Sequence, residues 1–146
     1  MTEADKNYMA LALELAERGA GWTSPNPMVG AVIVKDGAII GQGYHARCGD
    51  LHAERAALKN CTGDPAGGTL YVTLEPCPMC AGAILNARLS RVVYGASDPK
   101  AGCMGSVCDL TAMPFPTVPY YKSGVLEAEC REVLDQFFRE LRKKGE

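Results

Sequence analysis

Apolar residues in the first twenty positions recur at helical spacing. Met9, Ala12, Leu13 and Ala16 fall on one face of a helix predicted over residues 4 to 18, stopping near Arg18, and RGAGWTSPNP ends it with glycines and a proline-bearing turn. The period then shortens. MVGAVIVKDGAIIGQGYH holds two β-branched, apolar segments around Asp36-Gly37, a pair suited to a hairpin turn, and predicts two antiparallel strands. Alanine and leucine spacing predicts a second helix from His52 to about Asn60, after which TGDPAGG is a loop leading into a strand, TLYVTL. A third helix is expected from about Pro78 to about Ala87, and RVVYGA reads as another short buried strand. SDPKAGCMGSVCDL and the proline-rich MPFPTVPYY have loop composition, enclosing one short strand near Val118 to Tyr121. In the tail, Leu126, Cys130, Val133, Leu134, Phe137, Phe138 and Leu141 recur at helical spacing opposite Glu, Arg and Asp, as in a terminal helix packed on a core. Strands separated by helices imply an α/β domain of three α-β-α layers, with a mixed sheet of about five strands and helices on both faces.

Composition narrows the class without changing this picture. A chain of 146 residues with 47% hydrophobic content and 22% charge fits one domain spanning residues 1–146. Glu3, Asp5, Lys6, Glu14 and Glu17 interrupt any signal-peptide core, and no later apolar run reaches membrane-spanning length, so a cytoplasmic protein with no membrane partner is expected. The net charge of −2 argues against a broad electrostatic footprint for nucleic acid. Seven cysteines, an odd number without regular spacing, suit metal ligation better than a disulfide framework. Cys48, Cys61, Cys103, Cys108 and Cys130 are expected to be reduced thiols, several of them buried.

The candidate chemistry lies in LHAERAALKN and TLEPCPMC. A catalytic zinc ion needs ligands that hold it while leaving one coordination position for water, and one imidazole with two thiolates does so. His52, Cys77 and Cys80 supply that set, for one Zn2+ per chain. The C-x-x-C spacing brings two sulfurs to one turn, and the flanking Pro76 and Pro78 suit an extended lead-in and a first helical position. The positive end of that helix favours thiolates. Glu54, two residues after His52, is placed to act as proton acceptor without becoming a ligand. The alternative is a non-catalytic, zinc-stabilised module. Such a site wants four protein ligands, whereas the other histidine is His45 and the remaining cysteines form no second close pair.

H-x-E followed by P-C-x-x-C is the signature of zinc nucleobase deaminases, and over nearly its whole length the chain resembles the cytidine deaminase superfamily. TSPNPMVGAVIVKDGAIIGQGYHARCGDLHAE resembles the deaminase domain of the bifunctional riboflavin-biosynthesis enzyme. TLEPCPMCAGAILNARLSRVVYGASDPKAGCMGS and GVLEAECREVLDQFF resemble the bacterial tRNA wobble adenosine deaminase. The first resemblance implies a small-molecule aminopyrimidine or related base as substrate, with Asn26 and His45 lining the pocket and hydrogen-bonding the ring. The riboflavin pattern carries an insertion with a basic residue between its zinc cysteines; here only Pro78 and Met79 stand there. The second resemblance implies A-to-I editing of tRNA, with the basic RELRKK end available to phosphates. Its asparagine after the strand-ending aromatic is replaced by His45. Both imply a homo-oligomer, expected to be a dimer.

Overall fold

Thr2 caps the first helix, its Oγ1 accepting from the Asp5 amide at 3.0 Å. In the computed structural model, which describes residues 2–144, helix α1 covers Glu3–Glu17. Strands β1 (Gly30–Lys35) and β2 (Ala38–Tyr44) form the expected hairpin, and Asp36 and Gly37 between them have φ of 52° and 77°. Two consecutive left-handed residues are what a type I′ turn requires, which is why Asp-Gly suits it. There follow α2 (Ala53–Lys59), β3 (Thr69–Leu74), α3 (Pro78–Asn86), β4 (Arg91–Ala96), β5 (Tyr120–Lys122) and α4 (Glu127–Lys144), with a 3₁₀ turn at Leu110–Ala112.

The strands form one mixed sheet in the order β2-β1-β3-β4-β5. β1 is antiparallel to both β2 and β3, while β3, β4 and β5 run parallel. Alternate residues divide the sheet between two buried layers, as period-two side chains must. Ile33, Leu70, Val72 and Val92 pack with Ala57 of α2 and Ile84 of α3. Val32, Tyr71 and Val93 pack with Met9 and Ala12 of α1 and Leu134 of α4. The three-layer α/β architecture is therefore present, with the expected five strands.

The fifth strand differs from its expected position. It begins at Tyr120, pairing with Arg91, and excludes Val118. Pro114, Pro116 and Pro119 lack amide hydrogens and cannot donate to a ladder, so pairing starts after the last of them. Among the described residues no helix is long and apolar enough to cross a membrane.

Two features fix the layers against the sheet. A Cβ at Gly43 would overlap the Ala57 amide and the Ala53 carbonyl, so glycine there lets α2 lie directly on β2. On the opposite layer, Asp5 of α1 is buried against the central strands. Its Oδ1 and Oδ2 accept from Arg91 at 3.1 and 2.9 Å, and Tyr71 Oη donates to Oδ1 at 2.8 Å. The Arg91 guanidinium holds the Asp5 carboxyl well below the usual carboxylate range. Because the folded-state value is depressed, the stabilisation is complete above the unfolded value of about 3.9 and is lost as the pH falls below it. Asp5→Asn should cost about 2 kcal/mol in urea unfolding at pH 7. The difference from the parent protein should shrink steadily once the pH is brought below 4; a pH-independent difference would show that the charge of Asp5 is not its source.

Candidate active site

His52 is the N-cap of α2 and Cys77 the N-cap of α3, both in extended backbone, with Pro78 at the start of α3. Cys80 follows in the first turn of α3 and is fully buried. The strand order carries these two helix starts to one place. His52 Nδ1 lies 3.6 Å from Cys77 Sγ and 3.4 Å from Cys80 Sγ. All three atoms are within 4.8 Å of one another, and among the described residues this is the one His, Cys, Asp and Glu group so arranged. In a tetrahedron with Zn–S near 2.3 Å and Zn–N near 2.0 Å, the N···S edge is about 3.5 Å. The three side chains thus fit the ligand spacing of one tetrahedral ion, which they would hold through three of its four positions.

Glu54, in the first turn of α2, is 4% exposed. Burial pushes its carboxyl up to about 7; the nearby Cys77 sulfur adds to the shift, while its own backbone amide and His52 oppose it. The Cys80 thiol, donating to Cys77, brings Cys77 down to about 5 against the effect of burial. Cys80 itself is raised by that same hydrogen bond and by burial. A dication would displace the shared proton and hold both sulfurs as thiolates.

These groups open on a cavity of about 170 Å³ whose lining includes Asn26, His45, Glu54, Glu75, Cys77 and Asp98. His45 is 3% exposed, and its Nδ1 lies 3.1 Å from the Leu51 carbonyl oxygen. A carbonyl only accepts, so Nδ1 donates to it, and Nε2 on the other side of the ring lies 3.4 Å from Asn26 Nδ2. The Asn26 amide nitrogen also lies 3.9 Å from Cys48 Sγ, while its backbone N–H closes a turn onto the Thr23 carbonyl at 2.8 Å. Asn26 is both a turn residue and a cavity wall.

Glu75 is not among the residues that spacing singles out, although it stands alone between strand β3 and Pro76-Cys77. That is the signal a sequence could offer. Its carboxylate is buried and accepts from the amides of Asp98, Met104 and Ser106 at 3.0, 3.0 and 3.1 Å, and from Ser106 Oγ at 2.5 Å. A Cβ at Gly102 would overlap this carboxylate. Glu75 therefore ties residues 98–106 against the loop that carries Cys77.

Residues 2–96 match the family model described as the cytidine and deoxycytidylate deaminase zinc-binding region. Riboflavin biosynthesis protein RibD of Aquifex aeolicus is 44% identical over 142 residues, covering 93% of this chain and 39% of that protein. The tRNA-specific adenosine deaminase of Bacillus subtilis is 41% identical over 150 residues, covering 96% of this chain and 92% of that one. Among solved structures, the Thermotoga maritima diaminohydroxyphosphoribosylaminopyrimidine deaminase/5-amino-6-(5-phosphoribosylamino)uracil reductase superposes with a TM-score of 0.76 at 34% identity, over 96% of this chain and 42% of that one. The chain spans about two-fifths of the length of these riboflavin-pathway relatives. It belongs to the family of the cytidine and deoxycytidylate deaminase zinc-binding region.

Proposed function

We propose that residues 1–146 form one deaminase unit that hydrolyses the exocyclic amine of a nucleobase-like ring, a small-molecule aminopyrimidine or related base. The observation that carries this reading is the buried Glu54 carboxyl beside the His52, Cys77 and Cys80 group, facing a cavity walled by Asn26 and His45. A volume of about 170 Å³ falls below the roughly 300 Å³ at which drug-sized sites begin, and suits a single heterocycle.

In this reading His52, Cys77 and Cys80 hold one zinc ion. When bound, zinc supplies Lewis acidity that brings the ionisation of water towards neutral pH. Glu54 takes the proton from the attacking water and returns it to the ring nitrogen next to the amine-bearing carbon. It then passes the second proton to the departing amine, so that the C–N bond breaks and ammonia leaves. Asn26 directs its amide N–H groups to His45 and Cys48, leaving its carbonyl oxygen to accept from an N–H on the ring edge. Holding the ring plane at near-attack distance contributes to rate. Asn26→Ala should lower kcat/KM by roughly 10- to 100-fold with zinc content unchanged; unchanged kinetics would leave Asn26 only its turn.

A second reading, deamination of adenosine in tRNA, is favoured by the match over 92% of the Bacillus subtilis enzyme. Ammonia release by the zinc-loaded protein decides between them, across aminopyrimidines of the riboflavin pathway, free bases, nucleosides and an adenosine-bearing anticodon stem-loop. Turnover of a small ring that is insensitive to salt supports the first reading. Turnover of the stem-loop alone, with affinity falling steeply as salt rises, overturns it in favour of the second.

A further inference from the structure

Outside the His52, Cys77 and Cys80 group, Cys103 Sγ and Cys108 Sγ lie 3.0 Å apart. The expectation of no second close cysteine pair fails here, because the pairing is made by the fold rather than by a C-x-x-C spacing. The Gly105 amide donates to the Cys108 carbonyl at 2.9 Å and the Leu110 amide to the Cys103 carbonyl at 3.0 Å. Met104 and Asp109 add an antiparallel bridge. The entropy of bringing the thiols together is thus already lost on folding, and bonding at about 2.05 Å requires the sulfurs to close by about 1 Å. The two thiols differ in access. Cys103 is 3% exposed, whereas Cys108 is at the surface, where a dissolved oxidant meets it first.

We propose that Cys103 and Cys108 form a redox-modification site, closed to an intramolecular disulfide by hydroperoxides. The Cys108 thiol gives up its proton and the thiolate attacks one peroxide oxygen, breaking the O–O bond; with hydrogen peroxide the displaced hydroxide takes up that proton and leaves as water, and Cys108 becomes a sulfenic acid. Cys103 gives up its S–H proton and attacks the Cys108 sulfur, displacing hydroxide, which departs as a second water. Two thiols lose two electrons and one peroxide is reduced to two waters. The new ring encloses Met104 and Ser106, whose amides donate to Glu75, and the Cys103 amide itself donates to the Pro76 carbonyl at 2.9 Å. Oxidation would therefore be felt in the loop that Glu75 ties to the active site.

The test treats the zinc-loaded protein with a few equivalents of hydrogen peroxide, blocks remaining thiols with an alkylating agent, and weighs tryptic peptides. Cleavage after Lys100 and Lys122 releases residues 101–122, whose cysteines are Cys103 and Cys108. The expected result is loss of two hydrogens from this peptide, reversed by reductant and abolished in Cys108→Ser, with zinc content unchanged. Cys103→Ser should trap Cys108 as a sulfenic acid reactive towards dimedone. Cys108 carried to sulfinic acid while Cys103 stays alkylatable would overturn the proposal. So would zinc loss with oxidation at Cys77 or Cys80 in the 60–88 peptide, which also carries Cys61, before any change in 101–122. The readout is mass rather than turnover, so it stands or falls independently of the deaminase substrate.

Discussion

Glu54→Gln should leave zinc content and fold intact while lowering turnover by about 10²- to 10⁴-fold for each proton transfer the carboxyl serves. Glutamine has nearly the same shape, so the α2 start and the ring of His52 keep their positions. The amide, however, cannot accept the proton of the attacking water or return it to the ring. The parent carboxyl is 4% exposed, so bulk water is poorly placed to substitute for it. Ammonia release and metal analysis on the same preparation separate the two effects. A near-normal rate would remove Glu54 from proton transfer, whereas a lost rate accompanied by lost zinc would make it a structural neighbour of the ligands.

The legible part of the molecule is the part written in local spacing. Period 3.6 in α1 and α4, β-branched runs in β1, β3 and β4, and Asp36-Gly37 between two strands each determine structure within a few residues. The same holds for His52-x-Glu54 and Cys77-x-x-Cys80, because each pair sits in the first turn of one helix. What brings the two pairs together is the order of strands, which no single segment contains; the resemblance to known deaminases stood in for it. Asn26 and His45 are likewise legible only through resemblance, since their mutual contact crosses nineteen residues of chain. Residues 97–119 carried no usable period, since prolines and small polar residues interrupt it. For that reason the anchoring of this segment by Glu75, the approach of Cys103 to Cys108 and the late start of β5 are visible only once the segment folds back over the end of β3. Asp5 and Arg91 are eighty-six residues apart in sequence, and neither position suggests a buried pair by itself.

Cys80→Ser tests the metal site itself. Cys80 is fully buried in the first turn of α3, with His52 Nδ1 3.4 Å from its sulfur. Serine preserves the space but offers a hydroxyl that stays protonated near neutral pH, whereas a side chain in the place of a cysteine ligand must give up its proton to bind zinc. Substitution should therefore weaken zinc affinity by more than the 10- to 100-fold that loss of an outer hydrogen-bond partner costs. Activity should follow occupancy, so that adding zinc restores part of the rate at concentrations the parent protein does not need. Cys77→Ser should behave alike, because in the proposed site both sulfurs would contribute the charge that balances the dication. Alanine at the exposed Cys48 should leave occupancy untouched, since that thiol lies against Asn26 and outside the ligand group. Full zinc occupancy in Cys80→Ser would mean that another side chain completes the metal site. Occupancy lost together with the folded state would instead assign the ion a stabilising share of the α2 and α3 packing, which thermal unfolding of the metal-free parent protein measures directly.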